Sequence, residues 1–576
     1  MKKTFKRLGA VLLAAFMLLS TTICALAVEG ADTSTTGKKI TLNVSNVADG
    51  DTVHAFKLVS YNDDGNGYTF FKGDNGKNGF EQYIENQSDI GKKTAEEYLA
   101  NLGTAGVHKL LEGYAAKCNE ENSEYTLPSD RITSKPATQN TATLENLEPG
   151  YYLLLTSTTS TSGQIYTPLS AFVKMDGEKR VVYAGASDTA LPEHDGAYTV
   201  SAKSAGGPTI DKKTNATKGA DKTPEWKKTA AASVGDTVRF YVKVNIPKYT
   251  DGTTLNLTVN DTLTNLKYQP NSVRVYSEEP QLSNTKVTTD DSKIISNVIK
   301  NTDIAEKYTV DDSTGTGTQK LKFELDYATI MNDATNARSV YIYYEATVQP
   351  EAVKNKTNEG TNVASLTYAN ASTSHSTHKT DDVTTKVYTY YLQLNKKKDN
   401  SSEPLTGAKF SIYTEENGKT PLEFVEVTEN GTNYYRPAAE GESNTVTEIE
   451  ADFLIRGLDA NTYYLQEVKT PHGYCAPAGR FKIILTSKFN NDGTHAGRLE
   501  FNDSSMTAIN DADKNLILAP SVNSETPYQF SAGLKNVSTP NLPTTGGTGT
   551  VLLSIGGVVL MAAGAYLLFF RKKKEN

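Results

Sequence analysis

Cysteine is almost missing: the 576 residues contain three. Cys24 lies in the N-terminal stretch, while Cys118 and Cys475 are far apart in the chain. That spacing excludes a disulfide framework. Tryptophan occurs once and histidine seven times, and His54, His108 and His194 sit singly, without the spacing of a metal site or a catalytic base. No nucleophile–base pattern, metal-spaced His/Cys cluster or phosphate-cradling glycine loop is present, so neither an enzyme of ordinary turnover nor a cofactor or metal is expected. Charge of one sign is also scarce. The net charge is −8, and no basic stripe lies outside the termini, which argues against nucleic acid as a partner.

What is present favours strands. Thirty-two tyrosines, with abundant Thr, Val and Asn, suit pleated sheets and turns. The length suggests three or four domains. Long hydrophobic runs are confined to the two ends. Lys2, Lys3, Lys6 and Arg7 precede the apolar residues 8–19, and Ala25-Leu26-Ala27 supplies small residues for cleavage before Val28. This pattern reads as a secretory signal peptide over residues 1–27. At the other end, residues 551–570 form an apolar run of about 20 residues, enough to span a bilayer as a helix. Arg571, Lys572, Lys573 and Lys574 follow and should remain on the cytoplasmic side.

Just before that run stand Leu542, Pro543, Thr544, Thr545 and Gly546. Motif, spacer, apolar helix and basic tail together resemble the LPxTG sorting signal of Gram-positive surface proteins. The resemblance implies that a sortase cleaves between Thr545 and Gly546 and joins the new threonine carboxyl to an amine. It also implies secretion and covalent attachment to peptidoglycan in the cell wall. A long exported β-protein without disulfides then needs another source of resistance to unfolding.

Between the ends, strand patterns recur at short spacing with turn residues between them, as expected of all-β, tandem immunoglobulin-like sandwiches. The expected division is an N-terminal domain over 28–203, a second over 204–388 and a third over 389–541, with the sorting signal and its transmembrane helix over 542–576. In the first, residues 40–44, 53–59, 151–155 and 171–173 read as strands. Apolar residues at helical spacing (Tyr98, Leu99, Leu102, Val107, Leu110, Leu111) predict a short helical insertion over 94–114. A Gly/Pro/Ser-rich joint, 201–208, precedes the second domain. The polar stretch 370–385 closes it or links onward.

In the third domain, Lys396 with Pro404–Phe410 (PLTGAKF), the run YYLQEVKTPHGY over 463–474, and Asn536 resemble the B-type repeat of collagen-binding adhesins. In that family a first-strand lysine forms an amide with a last-strand asparagine, promoted by a glutamate. The resemblance implies Lys396 as amine, Asn536 as carboxamide and Glu467 as promoter. Leu392, Leu394 and Lys396 share one strand face, whereas Lys397 fits the spacing to Asp399. The second domain resembles the A-type counterpart, in which an aspartate replaces the glutamate. There Lys212, or alternatively Lys213, would join Asn362 with Asp261 as promoter. The joint carries Lys203 where backbone pilins place the lysine of a YPK-type motif, the acceptor for the sorting threonine; the Tyr-Pro pair itself is absent here. Taken together, the chain resembles a sortase-assembled Gram-positive major pilin. That implies identical subunits joined head to tail, alongside other pilins and a possible host ligand. A wall-anchored monomeric adhesin, or a tip or basal pilin, would carry the same signal without needing an acceptor lysine.

Overall fold

The structure is a computed structural model that describes residues 39–61, 68–119, 123–158, 163–176, 179–216, 225–249, 255–283, 287–332, 334–369, 377–399, 401–489, 495–539 and 548–572. The signal peptide, Cys24, the pentapeptide 542–546 and the end of the basic tail lie outside these residues. Within them the strands fall into three successive groups along the chain, each with its own buried core.

The first group pairs its first strand, Ile40–Ser45, in parallel with Ala197–Ser201 near its end. A six-stranded sheet built on Thr52–Tyr61 and Gly150–Ser157 is buried on both faces. Val53, Ala55, Tyr152 and Leu154 point into the core between the sheets. Their neighbours Phe56, Leu58, Leu153 and Leu155 pack under helices instead. Burial on both faces explains the unbroken apolar run at 151–155.

The helical insertion is larger than the spacing predicts. It comprises Phe80–Glu85, Ala95–Ala100 and Thr104–Cys118. Thr94 starts the middle helix with a reciprocal capping box to Glu97, and the chain breaks helix at 101–103. Cys118 and Cys475 are both free thiols.

The second group stacks a five-stranded sheet on a seven-stranded one. Thr209–Ala216, Thr237–Ile246 and Arg338–Val348 are successive neighbours in the first, and Glu359–Ala369, Asn256–Thr264 and Thr316–Asp326 in the second. The facing rows of Val, Leu, Ile and Phe are almost wholly buried. Each such side chain contributes about 1.5–3 kcal/mol. The polar stretch 370–385 also contributes to this sheet: Thr377–Lys379 and Val383–Tyr388 both pair with Glu359–Ala369. Their Thr- and His-rich composition conceals the strands because one face carries no apolar row.

The third group again sets its first strand, Tyr390–Lys398, parallel to its last, Gln529–Asn536. Thr462–Lys469 lies in the opposing sheet.

The groups are joined by direct contacts. The Tyr368 hydroxyl donates to the Gly163 carbonyl at 2.7 Å across the first joint. At the second, the Val234 amide donates to the Gly457 carbonyl at 2.9 Å and the Asp459 amide to Ser233 Oγ at 2.9 Å. Gly457 has φ +95°, and a Cβ there would lie 2.7 Å from Val234 Cγ2. Only glycine fits both demands.

The C-terminal helix is Thr548–Lys572. Its described middle, with Val558, Val559, Leu560, Met561 and Leu567, exposes a band of large apolar side chains. Among the described residues no helix is long and apolar enough to cross a membrane. The expected span over 551–570 extends beyond the side chains described.

Candidate functional site

In the second group Lys212 occupies the inner face of its strand, and Lys213 does not: Lys212 is fully buried, while Lys213 is partly exposed. Asp261 sits in the inner row Leu257, Val259, Asp261, Leu263, and Asn362 in the row Asn362, Ala364, Leu366. The Lys212 ammonium therefore reaches across the sandwich from one sheet to the Asp261 carboxyl on the other, where Asn362 lies on the next strand. Its Nζ donates to Asp261 Oδ2 at 2.5 Å. The Phe240 and Tyr344 rings lie 5.6 and 5.2 Å from that nitrogen. Burial lowers the Lys212 pKa, and attraction to Asp261 opposes this only in part.

A fourth residue joins this group without having been anticipated. The Tyr344 hydroxyl lies 2.8 Å from Lys212 Nζ, 2.5 Å from Asp261 Oδ2 and 2.6 Å from Asn362 Nδ2. Its run, Tyr341-Ile342-Tyr343-Tyr344, reads as ordinary strand. The available signal was its phase: it shares the inner row with Val340, Ile342 and Ala346, where a hydroxyl is out of place. Asp261 Oδ1 and Asn362 Oδ1 are buried without a hydrogen-bond partner among the described residues. Such atoms each cost about 1–3 kcal/mol, so the arrangement is not optimised as a resting ion pair.

In the third group a buried lysine, a carboxyl and an asparagine again come together, with different geometry. Lys396 and Asn536 lie on adjacent parallel strands, with Asn536 opposite Lys398 in the register. Glu467 comes from the other sheet, and its side chain is fully buried, as is that of Lys396. Lys396 Nζ donates to Glu467 Oε2 at 3.0 Å and also to Asn536 Oδ1. Asn536 Nδ2 donates to Glu467 Oε1 at 2.7 Å. The carboxylate thus bridges amine and amide directly. The Phe410 ring lies 5.6 Å from Nζ, and burial again lowers the lysine pKa, against the pull of Glu467. Lys397 is partly exposed and pairs through its backbone with Pro404.

Lys203 is exposed in the short connection between Ala197–Ser201 and Ser204–Ala205. Its carbonyl accepts from the Thr167 amide at 3.0 Å, and the strand Ser204–Ala205 pairs back onto Ile165–Tyr166. That ladder runs two residues past the expected limit at 203. His54 and His108 contact Thr133 and Ser170, apart from both lysine sites.

Arrangement and comparison define a class. Residues 391–494 match the SpaA prealbumin-like fold domain, and residues 535–576 match the LPXTG cell wall anchor motif. The chain is a multidomain β-protein attached to the cell wall at the bacterial surface, and its anchor motif makes a sortase and peptidoglycan its partners. Its likeness is to the Gram-positive pilins. It is similar to a backbone pilin of Streptococcus pyogenes, with 16% identity, 87% of this chain and 99% of that one covered, and a TM-score of 0.48. The major pilin SpaD of Corynebacterium diphtheriae gives 16% identity, 87% and 98% coverage and a TM-score of 0.40. The pilus protein RrgB of Streptococcus pneumoniae gives 16% identity, 73% and 86% coverage and a TM-score of 0.38. No curated protein matches the chain.

Proposed function

We propose that this chain is the repeating shaft subunit of a covalent pilus, stiffened by internal lysine–asparagine amides and lengthened by a sortase. One observation carries the reading: in two successive sandwiches a buried lysine pairs with a carboxyl group beside a buried asparagine, which Lys396 contacts directly and Lys212 through the shared Tyr344 hydroxyl. A buried ion pair is a poor device for stability, since removing both charges from water offsets most of their attraction. As a reactive arrangement it is coherent. Burial favours the neutral amine, which is the only form able to attack a carboxamide. The carboxyl takes and keeps one proton of the ammonium, and a second passes from the attacking nitrogen to the departing one. Enforced contact replaces a bimolecular encounter by a unimolecular step. The products are a neutral amide and ammonia, so the cost of two buried charges disappears. Each chain reacts once, which makes this self-processing and not turnover.

Lengthening follows from the ends. A sortase that cleaves at Thr545 and transfers its carboxyl to the exposed Lys203 of another copy makes a heterologous contact that does not close, and such contacts generate fibres. Tension then enters and leaves the third sandwich through strands tied by the amide, and in the second it enters on the Lys212 strand and leaves on Val383–Tyr388, which is paired with the Asn362 strand. Co-expression with a pilin-type sortase tests the reading. A covalent ladder of multimers is expected; monomer alone would assign the chain to the anchored adhesins instead.

A further inference from the structure

The two lysine sites differ by one methylene, and the difference has a chemical consequence. Glu467 is long enough for one carboxylate to hold Lys396 through Oε2 and Asn536 through Oε1. Asp261 is shorter. Asp261 and Asn362 lie on neighbouring antiparallel strands but are not opposite each other: Asp261 faces Ala364, and Asn362 faces Leu263. Such diagonal positions are about 7–8 Å apart at Cα, too far for so short a carboxyl to reach the amide easily. The carboxylate contacts Lys212 and Tyr344, and the amide nitrogen of Asn362 contacts Tyr344. The hydroxyl occupies the place that the second carboxylate oxygen holds in the other domain.

We propose that Tyr344 is a catalytic residue for closure of the Lys212–Asn362 amide, relaying the proton that the short Asp261 side chain cannot deliver. This rests on the reading of Lys212 and Asn362 as a crosslink. A phenol has one proton to give and two lone pairs. Here the proton is directed at Asp261 Oδ2, and the lone pairs accept from Lys212 Nζ and Asn362 Nδ2. All three partners of the reaction therefore meet at one oxygen.

The steps balance. Asp261 takes one proton from the Lys212 ammonium, and the neutral amine attacks Asn362 Cγ. In the tetrahedral adduct Nδ2 gains a lone pair and becomes a proton acceptor. Tyr344 gives it its proton and regains one from the attacking nitrogen. The Cγ–Nδ2 bond breaks and ammonia leaves, while Asp261 keeps the proton it took from the ammonium, so no buried charge remains. Tyr344 ends as it began. Burial first, and the Asp261 charge second, push its pKa well above the ordinary value, so the resting hydroxyl keeps its proton.

The test places Tyr344→Phe in the full chain. The mass of the proteolytic fragment pair containing Lys212 and Asn362 is followed after a pulse of synthesis. Phenylalanine keeps the ring against Phe240, 5.6 Å away between centroids, and removes only the oxygen. Loss of one ammonia from that pair should slow by about 10²-fold or more. The Lys396–Asn536 pair should lose its ammonia as in the wild type. A second variant combines Tyr344→Phe with Asp261→Glu, which lengthens the carboxyl as in the other domain. It should recover the crosslink. Tyr344→Phe closing at the wild-type rate would overturn the relay. A wild-type chain without this crosslink would overturn the reading beneath it, and the two results are distinct. A slow double variant with intact folding would also count against the relay.

Discussion

Replacing Asn536 by alanine isolates what a side-chain amide contributes to the third sandwich. The substitution removes the carbon that Lys396 attacks yet leaves Lys396 paired with Glu467 at 3.0 Å, so no buried charge is stranded. Nδ2 of Asn536 has left the crosslinked parent as ammonia, so the folded-state difference is limited to the packing of one short side chain. The larger effect is on the unfolded chain. Lys396 and Asn536 are 140 positions apart, and tying a loop of that length should remove about 5 kcal/mol of unfolded-state entropy at 25 °C. For a domain of this size such a loss lowers Tm by roughly 10–20 °C. Calorimetry of the purified protein reads the transition, and intact mass, set against each chain's calculated value, establishes that the variant has lost one ammonia fewer than its parent. A variant that is uncrosslinked by mass yet melts with its parent would refute the reasoning.

Further outcomes follow from the same geometry. Asp261→Asn should leave Lys212 and Asn362 unjoined while Lys396–Asn536 still closes, as read by peptide mass; loss of both would mean the two domains do not react independently. Lys203→Ala should abolish the sortase ladder with both internal amides intact, and a persisting ladder would place the acceptor elsewhere. In the Asn536→Ala chain, burial holds the folded Lys396 pKa below the ordinary 10.5. The unfolded chain then binds more protons, so stability should rise with pH from the lowered value up to about 10.4. A denaturant midpoint flat across that window would contradict it. Gly457→Ala should loosen the joint between second and third groups, because a Cβ would meet Val234 Cγ2 at 2.7 Å; limited proteolysis between 388 and 390 should accelerate, and unchanged cleavage would show that the joint absorbs the methyl.

Much of this was legible in the chain, for identifiable reasons. Alternation announces a strand wherever one face is buried, and it placed Lys396 in phase with Leu392 and Leu394. The same phase singles out Lys212 over Lys213 only once the neighbouring strand is known, because its own strand carries few apolar residues. Parallel pairing of first and last strands leaves no local trace, since its partners, such as Tyr391 and Gln529, are 138 residues apart. The strands within 370–385 stayed hidden because they offer Thr and His where an apolar row would be expected. The helix Phe80–Glu85 is a single short turn-and-a-half, too brief for periodicity to register. Tyr344 is masked for the opposite cause: among so many tyrosines its one signal, a hydroxyl in phase with Val340, Ile342 and Ala346, is faint until that hydroxyl is seen beside Lys212, Asp261 and Asn362.

The account's central claim is that the fold makes its own covalent ties. Intact mass of the purified mature chain tests it most directly. Two lost ammonia molecules, traced by peptide mapping to Lys212–Asn362 and Lys396–Asn536, are predicted. A chain at its full calculated mass, with both lysine amines free, would contradict it.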